Sequence, residues 1–522
     1  MRNLFLFFSF FTCSLFGQRN VIVIIADDLG TDYCGFYEQH GDTAKMPNIR
    51  KLVASGVRFS QAWTNPLCSP TRAAMLTGRY AFRTGVGDVV AGSGSVELDT
   101  AEKTIPKLLK SLSKNTIKTA NIGKWHLSLA KPSQLQYPNY FGFDHYAGNF
   151  SGALASFTNW SKVTDGVTST STTYATTEQV NDALSWLKSN QSSQKFLWLA
   201  FNAPHSPFHL PPSHLHSNLS LPGTAAHINA NPKLYFKEMV EAMDMEIGRL
   251  MDSLKVWKML NQTDIIFIGD NGDDAQVNQG KNSSKGTLFQ EGIHVPMVIS
   301  GPSVVNPNRV NQSLVNTADI FATVFDLFGY SQWNASLPSS KIVDSKSLYS
   351  IIQNQTTKVR DWVFAEIFKT TPGTNDGKTM RNATHKLIDL DDGTQRFFNL
   401  SKDSLEQNNL ISQSFSPDDG QNYRYLCQEL VKLTGTARYC DENVSVKSLS
   451  LKNQIYPNPF QTMIHFPQHL VGQKIQVMNA IGLLVFEGQS TEELDLSFLP
   501  SGIYLIHFAD FAKEKMVLMR KD

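Results

Sequence analysis

At 522 residues the chain is too long for one ordinary domain and long enough to bury a large core. Its 47 Lys and Arg against 46 Asp and Glu leave a formal charge of +1, which excludes a whole-chain electrostatic case for nucleic acid or membrane binding. Any anionic substrate must be met by locally placed cations.

Met1-Arg2-Asn3 precedes an apolar run through Phe16, shorter than the roughly 20 residues that span a bilayer. Residues 1–17 are therefore predicted to be a cleaved secretory signal, and Cys13 inside it lacks the small neighbours of a lipid-attachment site. Asn20 to Ala26 is a continuous β-branched run, as expected of a parallel strand covered on both faces, and Asp27-Asp28 follow at its carboxyl end. Cys68-Ser69-Pro70-Thr71-Arg72 then opens a helix-like stretch through Arg79, and Gly123-Lys124-Trp125-His126 comes next.

The strand pattern recurs at Lys195 to Phe201, before Asn202-Ala203-Pro204-His205, and at Asp264 to Gly269, before Asp270-Asn271-Gly272. Open α/β sheets place ligands beyond the carboxyl ends of their strands, so three such strands ending in potential ligands predict one shared site. Pro232 to Lys255 has helical apolar spacing, and strands alternating with helices imply a doubly wound α/β layer. Thr164 to Thr177, and Asn311 with its neighbours, are rich in Ser, Thr and Asn and read as surface loops.

After about residue 360 the chain reads as short strands around Trp362–Ile367, His385–Ile388 and Gln395–Leu400, a smaller antiparallel α+β subdomain. From about 446, beginning Ile455-Tyr456-Pro457-Asn458-Pro459, short alternating strands make a small all-β tail. The predicted boundaries are 1–17, 18–360, 361–445 and 446–522. Once the signal is removed four cysteines remain, Cys34, Cys68, Cys427 and Cys440. Cys427 and Cys440 are close enough to form a disulfide in an oxidising compartment, or to stay as two thiols.

Several groups carry chemistry. Asp27, Asp28, Asp270 and Asn271 are an oxygen set suited to a hard cation, although Asp pairs after strands also serve as plain helix caps. Zn²⁺ is disfavoured because neither acidic motif contains histidine. Lys124 and His126, if extended, project to one side, and a lone Lys-x-His is otherwise a solvated edge. Arg72 lies one helical turn beyond Cys68 at a helix N-terminus, where free N–H groups and the dipole favour an anion.

The Cys-Ser-Pro-Thr-Arg segment, with Asp27-Asp28, Gly269-Asp270-Asn271-Gly272, Gly123-Lys124-Trp125-His126, Ala203-Pro204-His205 and Lys285-Gly286-Thr287, resembles the signatures of the type I sulfatases over roughly residues 20 to 410. The resemblance implies an alkaline-phosphatase-like fold and a Cys68 oxidised by a formylglycine-generating enzyme or equivalent maturase. It further implies one Ca²⁺ held by Asp27, Asp28, modified Cys68, Asp270 and Asn271. Formylglycine hydrate would attack sulfur, Arg72 would hold the gem-diol, Lys124 and Lys285 would contact sulfate, His205 would protonate the leaving oxygen, and His126 would take a proton in sulfate release. His209 is open between a substrate-facing and a structural role, and the departure at Ile293-His294 leaves the role of His294 open.

The tail resembles the C-terminal sorting domain of the type IX secretion system of Bacteroidota; a carbohydrate-binding sandwich is the alternative, for which seventy-odd residues are few. Together these imply a secreted or cell-surface enzyme acting on a sulfated polysaccharide or its oligosaccharides, such as ulvan, carrageenan or a glycosaminoglycan. Loops around Arg83, His145 and His209 to His216 are expected to shape the pocket beyond the sulfate. A phosphodiesterase or phosphonate monoester hydrolase of the same superfamily is the second reading. A catalytically silent protein that binds sulfated glycans is the third.

Overall fold

The computed structural model describes residues 19–280, 284–371, 373–435, 455–466, 471–480, 482–508 and 515–521. The signal segment, Cys13 and Cys440 lie outside the described residues, and the Cys427–Cys440 pairing lies outside them with Cys440. Apart from residues 414–416, the described residues up to 435 belong to one compact unit and those from 455 to a second.

The first unit is built on a ten-stranded sheet of β1 (Asn20–Ala26), β2 (Gly56–Trp63), β3 (Ile117–Gly123), β4 (His145–Gly148), β5 (Trp160–Thr164), β6 (Val167–Ser171), β7 (Gln194–Ala200), β8 (Thr263–Gly269), β9 (Met297–Ser300) and β10 (Arg309–Asn316). Their spatial order is β10-β2-β9-β8-β1-β7-β3-β4-β5-β6. The central strands β8, β1, β7 and β3 run parallel, while β9 and β5 run against their neighbours.

Each β1 residue is buried, because the strand feeds both faces: Ile22 and Ile24 enter one core, Val21, Val23 and Ile25 the other. The first core is covered by helices Pro47–Ala54, Ala175–Ser189 and Pro232–Val256, and the second by Cys68–Thr77, Ile105–Leu112 and Ile320–Leu327. That layering is the doubly wound α/β arrangement read from strand and helix alternation. No helix of the described residues is long and apolar enough to cross a membrane.

Two polar stretches depart from the loop expectation. Thr164 to Thr177 contains β6, which pairs antiparallel with β5 in register Trp160↔Ser171 through Thr164↔Val167. Asp165 and Gly166 turn the hairpin with φ of 47° and 89°, and alternating Thr and Ser suit an edge strand with exposed faces. Asn311 lies in β10, the other edge, at a register shift between Asn311 and Leu314. Polar composition marked an exposed edge strand at β6 and, at β10, an edge strand whose buried Asn311 donates to the Thr357 carbonyl at 2.9 Å.

A second, antiparallel sheet follows, from β11 (Val363–Ile367), β12 (Gly377–Arg381), β13 (His385–Leu390) and β14 (Gln395–Asn399), and helix Pro417–Thr434 packs beside it. The unit from residue 455 carries a four-stranded antiparallel sheet and a two-stranded one, around Ile464, Ile475, Val477, Ile506 and Leu518.

Candidate active site

The carboxyl ends of the four adjacent strands β8, β1, β7 and β3 deliver Asp270 and Asn271, Asp27 and Asp28, His205, and Lys124 and His126 to one place. Helix Cys68–Thr77 begins on Cys68 itself and aims its N-terminus there, with Arg72 one turn on. Lys285 arrives from the loop after β8, its backbone N–H bonded to the Asp273 carbonyl at 3.0 Å.

The charges are buried and closely paired. Lys124 Nζ lies 2.8 and 2.6 Å from the two Asp27 oxygens. Arg72 donates to Asp270 Oδ2 from NH2 at 2.7 Å and from Nε at 3.1 Å, and to the Lys124 carbonyl at 3.2 Å. Lys285 Nζ is 2.7 Å from Asp28 Oδ1, and His205 Nε2 is 3.6 Å from Asp28 Oδ2. The Asp28 N–H donates to Asp270 Oδ1 at 3.0 Å. Removing one partner of such a buried pair costs about 3 to 5 kcal/mol, so each member holds the others in position.

Those neighbours set the ionisation. Burial alone would raise Asp27 and Asp28, but Lys124, His205 and Arg72 outweigh it at Asp27, and Lys285 and His205 at Asp28, so both lie below the ordinary carboxylate range. Burial and the Asp27 charge hold Asp270 up to about 6 despite Arg72. Burial raises the Cys68 thiol, against the pull of Lys124 and Lys285. At His126 burial, then Lys124 and Arg72, push the imidazole well below its ordinary value, leaving a neutral ring.

Local backbone supports this geometry at two non-glycine residues in the left-handed region, Asp28 with φ 62° and His126 with φ 56°. Lys124 and His126 thus share the site through a turn, not through the extended alternation expected from their spacing. β3 ends at Gly123, and the His126 N–H bonds instead to the Phe150 carbonyl at 3.1 Å. Gly152 makes room for that ring: a Cβ there would sit 2.6 Å from His126 Cε1 and 2.7 Å from Nε2.

The donor set fits a hard divalent cation. Ligand atoms of Asp27, Cys68 and Asp270 lie within 4.8 Å of one another. Asn271 donates through Nδ2 to Asp28 Oδ1 at 2.7 Å, while its buried Oδ1 has no hydrogen-bond partner. An orphaned amide oxygen beside three buried carboxylates is an acceptor-only arrangement that a cation satisfies.

The site opens into a cavity of about 460 Å³ floored by Cys68, His126, His205 and Lys285. Its wall comes from segments 89–91, 128–130 and 150–153, none anticipated from the sequence. Ser69, the residue after the cysteine, ties two of them: its hydroxyl donates to the His126 carbonyl at 2.7 Å and accepts from the Val90 N–H at 3.1 Å. Its place in the Cys-Ser-Pro-Thr-Arg segment was the available signal.

The residues expected to shape this pocket do not line it. Arg83 pairs with Asp344 at 3.0 Å, and His145, at the start of β4, with Asp165 of the β5–β6 turn at 2.8 Å. His209 is committed to its neighbours: its nitrogens meet the Pro207 carbonyl at 2.8 Å and Tyr174 Oη at 3.0 Å, its ring packs on Phe157, and burial pushes it down to about 4. Buried His216 lies beside Glu238. His294 bonds to the Ser60 carbonyl at 2.9 Å and lines a different cavity. Cys34 is a free, buried thiol that burial pushes well up.

Residues 19–330 match the sulfatase family model, more than half of the chain. The chain belongs to the sulfatase family. Residues 454–519 match the secretion system C-terminal sorting domain. Mouse arylsulfatase J is 28% identical over 334 residues, covering 59% of this chain and 52% of its own, so the chain spans about half the length of that relative. A sulfatase of Formosa agariphila is 27% identical over 496 residues, covering 76% of this chain and 85% of its own. The crystal structure of Ps i-CgsB with k-i-k-neocarrahexaose superposes with a TM-score of 0.66 at 25% identity, covering 80% of this chain and 93% of that one. Its neighbours share the alkaline-phosphatase-like fold.

Proposed function

We propose that this sulfatase-family chain hydrolyses sulfate esters on a sulfated polysaccharide or its oligosaccharides, with Cys68 matured to formylglycine. The observation that carries the reading is the convergence of Lys124, His126, His205, Lys285 and Arg72 on Cys68 at a helix N-terminus, at the floor of a cavity. Formylglycine supplies a hydrated aldehyde as nucleophile, and a cation held by Asp27, Asp28, Asp270 and Asn271 supplies charge that orients nucleophile and sulfate. We assign that cation as Ca²⁺ because every protein donor besides residue 68 is oxygen.

The chain's own residues do the rest. Lys285, part-exposed over Asp28, meets a sulfate oxygen, whereas Lys124, expected to contact sulfate too, is fully buried against both Asp27 oxygens and acts by fixing that carboxylate. Arg72 holds Asp270 and the helix end in register. His205 lines the cavity with Nδ1 tied to the Ser206 carbonyl at 2.7 Å and Nε2 3.6 Å from Asp28 Oδ2, so we assign Nε2 as the atom that hands a proton to the leaving oxygen. His126, neutral and with no hydrogen-bond partner at Nδ1, accepts the proton that accompanies sulfate release.

The sorting-domain match supports export through type IX machinery to the medium or cell surface, after a signal cleaved near residue 17. We keep the boundaries near residues 360 and 446, with the second sheet as a sulfatase subdomain. Carrageenan, ulvan and glycosaminoglycan fragments are the candidate substrates, the first because of the neocarrahexaose in the similar structure. The test is peptide mass analysis of the Cys68 segment together with sulfate release from paired aryl sulfate and aryl phosphate. Formylglycine at residue 68 and loss of turnover in Cys68→Ala are expected. Full activity of Cys68→Ala ends the assignment, and preference for the phosphate moves the chain to the phosphoryl-transfer reading.

A further inference from the structure

We infer that the substrate moiety enclosed by the Cys68 cavity carries a single sulfate and no second anionic group, a neutral monosulfated ring. The inference rests on the sulfatase reading and concerns the leaving-group side of the same site.

The floor and wall of this cavity differ in chemistry. Among the described residues lining it, the one Lys or Arg is Lys285, at the floor and paired with Asp28, and no Asp or Glu lines it. The wall that a ring bearing the sulfate would touch is Val89, Val90, Ala91, Leu129, Ala130 and Ala153. Polar contact besides the catalytic histidines is limited to small hydroxyls and backbone, and the Ser128 hydroxyl already accepts from Trp125 Nε1 at 2.8 Å.

A carboxylate or second sulfate packed against buried Val90 and half-buried Val89 and Leu129 loses water without gaining a cation, the costly form of charge burial, while Ala91, Ala130 and Ala153 stand exposed at the mouth. A neutral ring can lay its C–H face on the alkyl groups and leave its hydroxyls toward the mouth. The wall is also held firmly. Ser69 bridges the His126 carbonyl and the Val90 N–H, the Leu98 N–H bonds the Leu127 carbonyl at 3.0 Å, and the Trp125 N–H bonds the Asn149 carbonyl at 2.9 Å.

The test uses the full matured chain and two substrate sets. One pairs galactose 2-, 3-, 4- and 6-sulfates with disulfates bearing the second group on a neighbouring carbon. The other pairs 4-carboxyphenyl sulfate with its methyl ester, so that a wrong choice of sugar does not leave the question open. Values of kcat/KM at least about tenfold higher for the neutral partner are expected, and equal or faster turnover of the anionic partner overturns the inference. Sulfate release from no substrate at all overturns the sulfatase reading and this inference with it. In Ala91→Lys, at an exposed wall position, the neutral-to-anionic ratio is expected to narrow severalfold; an unchanged ratio removes this wall from the recognition of charge.

Discussion

The carboxyl ends of β8, β1, β7 and β3 and the four-stranded sheet β11–β14 both bury ionised side chains, yet they use them differently. At the strand ends, charges converge on a cavity and leave Asn271 Oδ1 unsatisfied. In the second sheet they stitch elements together: Lys386 pairs with Glu406 at 2.5 Å under the Trp63 ring, Glu406 caps the Gln290 N–H at 2.6 Å, and Arg381 spends its donors on Gln61, Asn382 and Ala383. Buried charge alone therefore does not mark a site. What distinguishes the strand ends is convergence on Cys68 at the floor of a cavity, since the second sheet also holds unfilled acceptors at Glu366 Oε2 and Asn399 Oδ1.

Lys124→Ala is expected to break this comparison most severely, lowering kcat by about 10²- to 10³-fold through lost electrostatic positioning and destabilising the fold; wild-type turnover would remove Lys124 from the site. His205→Gln should cost about 10²- to 10⁴-fold on a sugar sulfate. The loss should be much smaller on 4-nitrophenyl sulfate, whose leaving group needs no proton, and equal losses on both would deny His205 the acid role. Lys386→Met should lower stability by about 3 kcal/mol by stranding Glu406, with turnover per folded molecule intact, read from denaturation and active-site titration. A kinetic defect there would merge the two regions.

Gly152→Ala should lower kcat roughly tenfold with little change in KM, because the new methyl displaces the His126 ring. The smallest effect concerns Glu366 on β11, whose carboxyl burial pushes up to about 8 against the Phe82 N–H it accepts from. The folded state then holds a proton that the unfolded chain has released, so Glu366 costs stability as pH rises from about 4.5 to 8. Glu366→Gln should thus raise Tm more at pH 8 than at pH 5, by the equivalent of on the order of 3 kcal/mol at most. A uniform shift at both values would place Glu366 in an ionised state.

Much of the candidate site is legible in the sequence. Asp27, Asp28, Cys68, Arg72, Lys124, His126, His205, Asp270 and Asn271 follow a strand end or lie in the first turns of a helix, which local pattern announces, whereas Lys285 lies in a loop marked only by its motif; the structure brings all ten together. What misled was composition: the Thr- and Ser-rich hairpin β5–β6 and the edge strand β10 look like loops because edge strands need not be apolar. Loops around Arg83, His145 and His209, expected to shape the pocket, do not line it, because partners distant in sequence, Asp344 for Arg83 and Tyr174 for His209, commit those side chains elsewhere.

The sequence by itself determined the layer architecture, the four parallel strand ends and the residues they carry, because buried strand runs and adjacent motifs are local signals. Only the tertiary structure decided the cavity wall at 89–91, 128–130 and 150–153, with its alkyl lining, and the left-handed backbone that brings His126 into place. Those features depend on hydrogen bonds between segments far apart in the chain, such as His126 to Phe150 and Val90 to Ser69, which no local pattern encodes.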